Sequence, residues 1–155
     1  MTGREDFETF FRRDFPRLVL FLVKKGATQS DAEDAAQDAM LRAALAWADI
    51  ASPAAWVRIT AQRSWWKRLR PEVPMHDTDI PLPAGEDPTA IEEEKWRTVQ
   101  LLRSLPPAQR AVVALYYDGF STREISAVVG TSEATVRSSL RHGRARLREM
   151  LGSGP

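Results

Sequence analysis

From Phe7 to Lys25 the apolar residues Phe7, Phe10, Phe11, Phe15, Leu18, Phe21 and Leu22 recur at three- and four-residue steps, the spacing of an amphipathic helix. Phe-rich spacing of this kind predicts a helix that lids a core. Pro16 is expected to kink or divide it, and Gly26 after Lys24 and Lys25 closes it with a basic last turn. Ser30 and Glu33 read as a capping box that opens a second helix running to about Trp47. One flank of that helix carries Asp31, Asp34 and Asp38, while Ala35, Ala39, Leu41, Ala43 and Leu45 supply small and apolar surface. Ser52-Pro53 starts a third helix, with serine as cap and proline in the first turn, which continues to Arg70 until Pro71 stops it.

The next stretch, residues 71–91, holds five prolines and a glycine without helical or strand period, and is expected to be a linker. A flexible chain of about 20 to 25 residues has a root-mean-square span of roughly 25 to 30 Å, enough to let two modules sit about one DNA turn apart, roughly 34 to 36 Å. Beyond it, Ile91, Trp96, Val99 and Leu102 mark a helix over Glu92 to Leu102. Pro106-Pro107 starts another over Ala108 to Tyr117, with Val112, Val113, Leu115 and Tyr116 facing a core, and Asp118-Gly119 ends it. Ser121 and Glu124 form a further capping box before Ile125, Val128 and Val129. Gly130 supplies a turn, and Thr131 and Ser132 offer caps to a last helix on which Val136, Leu140, Leu147 and Leu151 can be buried. The predicted fold is all-α: two small helical modules, residues 1–70 and 92–155, joined by the linker 71–91.

Composition narrows the function classes. Hydrophobic residues make up 43% and charged residues 28% of 155, a globular composition. The longest apolar runs fall far short of the roughly 20 residues that cross a bilayer, and the N-terminus opens with Arg4, Glu5 and Asp6, so a cytoplasmic location is expected. Cysteine is absent, which excludes disulfides, thiol switches and Cys-type zinc sites within this sequence. Net charge is only +1, yet residues 1–70 carry 12 Lys/Arg against 9 Asp/Glu, residues 71–95 carry 1 against 8, and residues 96–155 carry 9 against 4. Two basic blocks flanking an acidic strip suit a polyanion contacted at two sites; ordinary solvated surface is the plainer alternative.

The stretch Ser121 to Leu151 reads as a helix-turn-helix whose second helix enters a DNA major groove. Burial of Val136 and Leu140 turns Glu133, Thr135, Arg137, Ser138 and Arg141 outward near its capped start. Arg137 and Arg141 are the candidates for base edges, where a bidentate arginine on guanine discriminates by about 1 to 3 kcal/mol. In the third helix, Trp56, Ile59, Arg63 and Trp66 share one stripe and Arg58, Gln62, Trp65 and Leu69 another. Trp56 is expected in the core, while Trp65 or Trp66, beside Arg63, Lys67, Arg68 and Arg70, offers the cations and flat rings that single strands stack on. The acidic flank of the second helix is explained equally well by the helix dipole or by a partner-docking face. His76 and His142 have no neighbouring ligands and are read as solvated or phosphate-facing. A phosphate-cradling glycine loop, a metal-ligand cluster and a nucleophile paired with a base are all missing from the sequence, so neither an enzyme nor a cofactor is expected.

Two segments, DAEDAAQDAMLRA followed by SPAAWVRITAQR, and LPPAQRAVVALYYDGFSTREISAVVGTSEATVRSSLRHGRARLR, resemble regions 2 and 4 of the extracytoplasmic-function class of bacterial sigma-70-type initiation factors. The resemblance implies a promoter-specificity subunit of RNA polymerase. Asp31, Glu33, Asp34, Gln37, Asp38 and Arg42 correspond to the docking face for the clamp helices of the polymerase largest subunit. Trp47, Asp49, Ser52, Arg58, Arg63, Trp65, Trp66 and Lys67 correspond to the part that captures and melts the −10 element. Ser132, Glu133, Thr135, Arg137, Ser138, Arg141 and Arg144 correspond to the reader of the −35 element. It also implies an anti-sigma partner. The chain departs from the family at Arg63, where asparagine is common, and at Lys67, where aspartate is frequent, making this helix more basic. A free-standing helix-turn-helix regulator and a sigma-like polymerase-binding antagonist are the alternatives.

Overall fold

The computed structural model describes residues 5–69 and 92–152; the linker assigned above to residues 71–91 lies outside them, as does His76. The described residues form seven α-helices: α1 (Phe7–Lys25), α2 (Gln29–Leu45), α3 (Pro53–Leu69), α4 (Glu93–Arg103), α5 (Pro107–Tyr117), α6 (Thr122–Val129) and α7 (Glu133–Gly152), with a single 3-10 turn at Trp47–Asp49 before α3. Helices α1 to α3 pack as one group and α4 to α7 as another, and α1 and α3 also meet α4, α5 and α6.

Local signals set most boundaries. Asp6 caps α1 by accepting from the Thr9 amide at 2.8 Å, and Gly26, at φ 125°, ends it in a conformation side-chain-bearing residues rarely adopt. Pro16 lies inside α1 without dividing it. The start of α2 corrects the sequence reading: Thr28, not Ser30, is the cap, accepting from the Asp31 amide at 3.1 Å. Glu33 instead accepts from the Gln29 side chain at 2.8 Å. Threonine is itself a good cap, and it comes first after the glycine stop, so Ser30 falls within the first turn. The capping box of α6 is present on both sides, Ser121 Oγ to the Glu124 amide and Glu124 Oε1 to the Ser121 amide, and Gly130 turns the chain at φ 76°.

One apolar core runs through both groups, from Phe10, Leu18, Phe21 and Leu22 through Ala32 to Ala43 and Val57 to Val99, Leu105, Leu115, Ile125 and Val136. Tyr116 and Leu151, expected inside, are 37% and 70% exposed. Ala111 and Ala114 fill the α5 interface in place of the tyrosine, because small residues allow the closer helix approach. Where α5 crosses α7, Gly143 is buried, and a Cβ built there would lie 2.6 Å from Val113 Cγ2 and 3.4 Å from Gln109 Cβ. The helix pair is therefore set by the missing side chain.

Arg58 on α3 is 1% exposed. Its guanidinium donates to Asp14 on α1 at 2.9 Å and to the Ala54 carbonyl at 3.0 Å, lying 5.7 Å from the centre of the Phe21 ring. This buried ion pair decides which face of α3 turns inward, so Arg58, Gln62 and Trp65 are buried together. Trp56 moves outward and is half-buried, the reverse of the expectation from the sequence.

Two stability changes follow. Gly143→Ala forces α5 and α7 apart and should cost about 1 to 3 kcal/mol in denaturant unfolding. Asp14→Ala leaves Arg58 charged, buried and unpaired, and should cost about 3 to 5 kcal/mol; a loss under 1 kcal/mol would show that the pair does not organise α3.

Candidate nucleic-acid and partner interfaces

Ser132 caps α7 by accepting from the Thr135 amide at 3.1 Å, which fixes the helix start. Val136 and Leu140 are buried one turn apart, and Ile125 and Val128 of α6 are buried with them in the core. Ser132, Glu133, Thr135, Arg137, Arg141 and Arg144 are consequently exposed, with Ser138 half-buried between them. Six of the seven residues assigned to this reader thus lie on α7, and Ser132 caps its start. Neither Arg137 nor Arg141 has an ion-pair partner among the described residues. Arg144 instead lies over the Tyr116 ring at 5.6 Å, a cation–π contact that anchors it. The geometry is that of a helix-turn-helix whose second helix is free to enter a groove.

A second surface lies between α2 and α3. Trp56, Thr60, Arg63, Ser64, Lys67 and Arg68 line one wall of a groove whose other wall is Asp38, Arg42 and Ala46. Arg63 and Lys67 are exposed and, like Arg137 and Arg141, have no ion-pair partner among the described residues. The groove therefore holds a flat indole beside unpaired cations, the pairing that a base and its phosphate require. Trp56 and Arg68, absent from the sequence-derived set, belong to it; the spacing Trp56, Thr60, Arg63, Lys67 is one helical stripe and was legible.

The other six residues of that set lie elsewhere. Arg58 and Trp65 are 1% exposed and have no surface to offer a strand, because the Asp14 pair draws their side of α3 inward. Trp47 is half-buried, its ring 5.6 Å from Phe7 and 5.2 Å from Phe10. Trp66 is half-buried, with Lys25 Nζ 5.2 Å from its ring centre. Both indoles are engaged by α1, a partner too distant in sequence for helical spacing to reveal. Asp49 and Ser52 are exposed in the connection before α3.

The outward side of α2 holds Asp34, Gln37 and Arg42 exposed and Asp31, Glu33 and Asp38 half-buried. Asp38 pairs with Arg42 at 3.1 Å, and Asp34 pairs with Arg68 of α3 at 3.1 Å, so the acidic face and the basic groove share an edge. Beside them Leu41 and Leu45 are 62% and 82% exposed. Apolar side chains set among half-paired acids make this a candidate protein-binding surface. Among the described residues no helix is long and apolar enough to cross a membrane.

Comparison with known proteins identifies the family. Residues 96–147 match the family model for sigma-70, region 4. An RNA polymerase sigma-E factor of Streptomyces avermitilis is 35% identical, with 96% of this chain and 86% of the relative covered. An ECF RNA polymerase sigma factor SigM of Mycobacterium tuberculosis is 34% identical, covering 96% of this chain and 79% of the relative. Two solved structures share the fold at a TM-score of 0.69 and 22% identity. One is the sigma factor RpoE in complex with the anti-sigma factor NepR from Bartonella quintana, covering 98% of this chain and 100% of that one. The other is CnrH in complex with the cytosolic domain of CnrY, covering 96% and 89%. With relatives this similar over nearly its whole length, the chain belongs to the extracytoplasmic-function group of sigma-70 family factors, non-catalytic proteins that bind RNA polymerase and recognise promoters.

Proposed function

We propose that residues 1–70 dock on core RNA polymerase and open the −10 element, that residues 92–155 read the −35 element, and that residues 71–91 link the two activities. The observation that carries this reading is the placement, at two separate sites, of cations with no ion-pair partner among the described residues. Arg137 and Arg141 stand at the capped start of α7, and Arg63 and Lys67 stand beside Trp56 in the α2–α3 groove. The first pair suits duplex DNA, where a guanidinium meets guanine edges from the major groove. The second suits an unpaired strand, with phosphates on the cations and a base against the indole. Arg63 and Lys67 favour tight binding of the strand with weak sequence choice, since both act through charge.

Docking falls to α2. Asp34, Gln37, Asp38 and Arg42 give polar registration, and Leu41 and Leu45 supply the apolar area that a helical partner covers. The clamp helices of the polymerase largest subunit are the partner proposed for this face. An anti-sigma factor is the second partner proposed, consistent with the fold shared with sigma factors solved in such complexes.

Purified chain, core polymerase and promoter DNA provide the test, with strand opening followed by permanganate reactivity of unpaired thymines. Polymerase-dependent opening is expected; tight promoter binding without polymerase, and transcription indifferent to the chain, would overturn the proposal. Arg141→Ala should lower discrimination at the −35 element by about 1 to 3 kcal/mol while leaving polymerase affinity unchanged. Leu45→Asp should weaken polymerase binding in a pull-down titration yet shift folding stability by no more than about 0.5 kcal/mol, as surface substitutions do. Identical defects from the two changes would show that the surfaces are wrongly divided.

A further inference from the structure

The basic helix α7 begins with an acid. Between Ser132 and Met150 five arginines stand against Glu133 and Glu149, and Glu149 lies toward the far end. Glu133 is the first residue of α7 and is exposed beside the cap Ser132. It stands four residues before Arg137, the order and spacing at which an acid and a base pair on a helix surface. Yet the two do not pair, and neither has an ion-pair partner among the described residues. Glu133 Oε1 instead accepts from the Thr122 hydroxyl of α6 at 3.4 Å. Thr122 is a firm anchor, because it is half-buried in the first turn of a helix whose start the Ser121 and Glu124 capping box fixes. The bond draws the carboxylate toward α6 and leaves the Arg137 fork open.

A carboxylate held against DNA is repelled by phosphates unless a base edge donates to it. It can only accept. In the major groove guanine presents O6 and N7 and thymine presents O4, all acceptors, whereas cytosine N4 and adenine N6 donate. The adenine amine sits beside the N7 acceptor, which repels the second carboxylate oxygen. The cytosine amine has no such neighbour on its own base. Arginine makes the opposite choice, since its fork fits O6 and N7 of guanine. Four residues of helix advance about 6 Å, which is just under two base-pair steps of about 3.4 Å.

We propose that Glu133 selects a cytosine in the upstream element, that Arg137 reads a guanine within about two base pairs of it, and that Thr122 is the positioning residue that keeps the two from pairing with each other. This rests on the −35 reading above and names the bases that it takes.

The full chain with core polymerase, given promoters randomised across the −35 element, provides the test when the bound fraction is sequenced. The parent should enrich a cytosine with a guanine within about two base pairs, and a thymine in place of that cytosine should lower affinity about 5- to 100-fold. Glu133→Gln, whose amide both donates and accepts and so suits adenine, should lose the cytosine and gain adenine at the same position. Thr122→Val keeps the shape of the side chain but removes the donor, and should reduce the cytosine preference about two- to tenfold; Thr122→Ser should restore it. A parent consensus without cytosine, or a cytosine preference that survives in Glu133→Gln, would overturn the assignment. A Thr122→Val preference equal to the parent's, or a loss that serine does not restore, would overturn the positioning role. Enrichment of no base at all by the parent would count against the −35 reading itself. Should Thr122→Val lose helical circular dichroism, Glu133→Gln, a change at an exposed residue, decides alone.

Discussion

The ion pair between Arg58 and Asp14 is the constraint on which the arrangement of this chain depends. Taking two charges out of water costs several kcal/mol per ion, and the cost is met only when geometry and extra hydrogen bonds are good. Here the guanidinium has a carboxylate oxygen at 2.9 Å, a helix carbonyl at 3.0 Å, and aromatic rings of Phe21 and Phe120 nearby. The pair ties α1 to α3 across 44 residues of sequence and leaves α3 one acceptable rotation about its axis. With Arg58 inward, Gln62 and Trp65 follow at helical spacing, and Trp56, Arg63 and Lys67 are turned toward α2.

That rotation creates the α2–α3 groove proposed to bind a strand. Its wall on α3 is the stripe left over once the Arg58 side is buried, and its wall on α2 is the flank that also carries the acids proposed for docking. Arg68 and Asp34 bridge the two helices at 3.1 Å with both side chains about half exposed, 45% and 50%. Such a pair contributes little to stability, on the order of 0 to 1 kcal/mol, but it lies on the edge shared by the basic groove and the acidic face proposed for docking. In the function proposed here Asp38 and Arg42 border both surfaces, so a partner seated on α2 would lie beside a strand seated on α3.

The end of α1 has a comparable role between the helical groups. A helix terminus needs donors from somewhere, and Gly26, in bending the chain away, leaves the carbonyls of Val23 and Lys25 facing α4 and α5. Arg103 on α4 donates to the Val23 and Ala27 carbonyls, both at 3.0 Å, and Arg110 on α5 to the Lys25 carbonyl at 3.0 Å. Arginine is suited to this position, since its planar fork reaches two carbonyls at once and favours the negative end of the helix dipole. The second group is therefore oriented by backbone polarity in addition to apolar contact.

Much of this was legible in the residues alone. Helical spacing from Phe7 to Leu22, the glycines at 26 and 130, Ser52-Pro53 and the Ser121–Glu124 capping box fixed the number and order of helices, because caps and stops act within a turn of chain. The outward side of α7 was equally plain, since Val136 and Leu140 define its buried side and leave Arg137 and Arg141 no alternative. Position along a helix does not, however, identify its partner. Whether Trp56 or Trp65 is buried, whether Arg58 meets DNA or Asp14, and whether Trp47 and Trp66 are free depend on side chains of α1 many residues distant. Only the tertiary structure decided those, because the inward face of a helix that carries polar and aromatic residues all around is chosen by the one neighbour able to neutralise its buried charge.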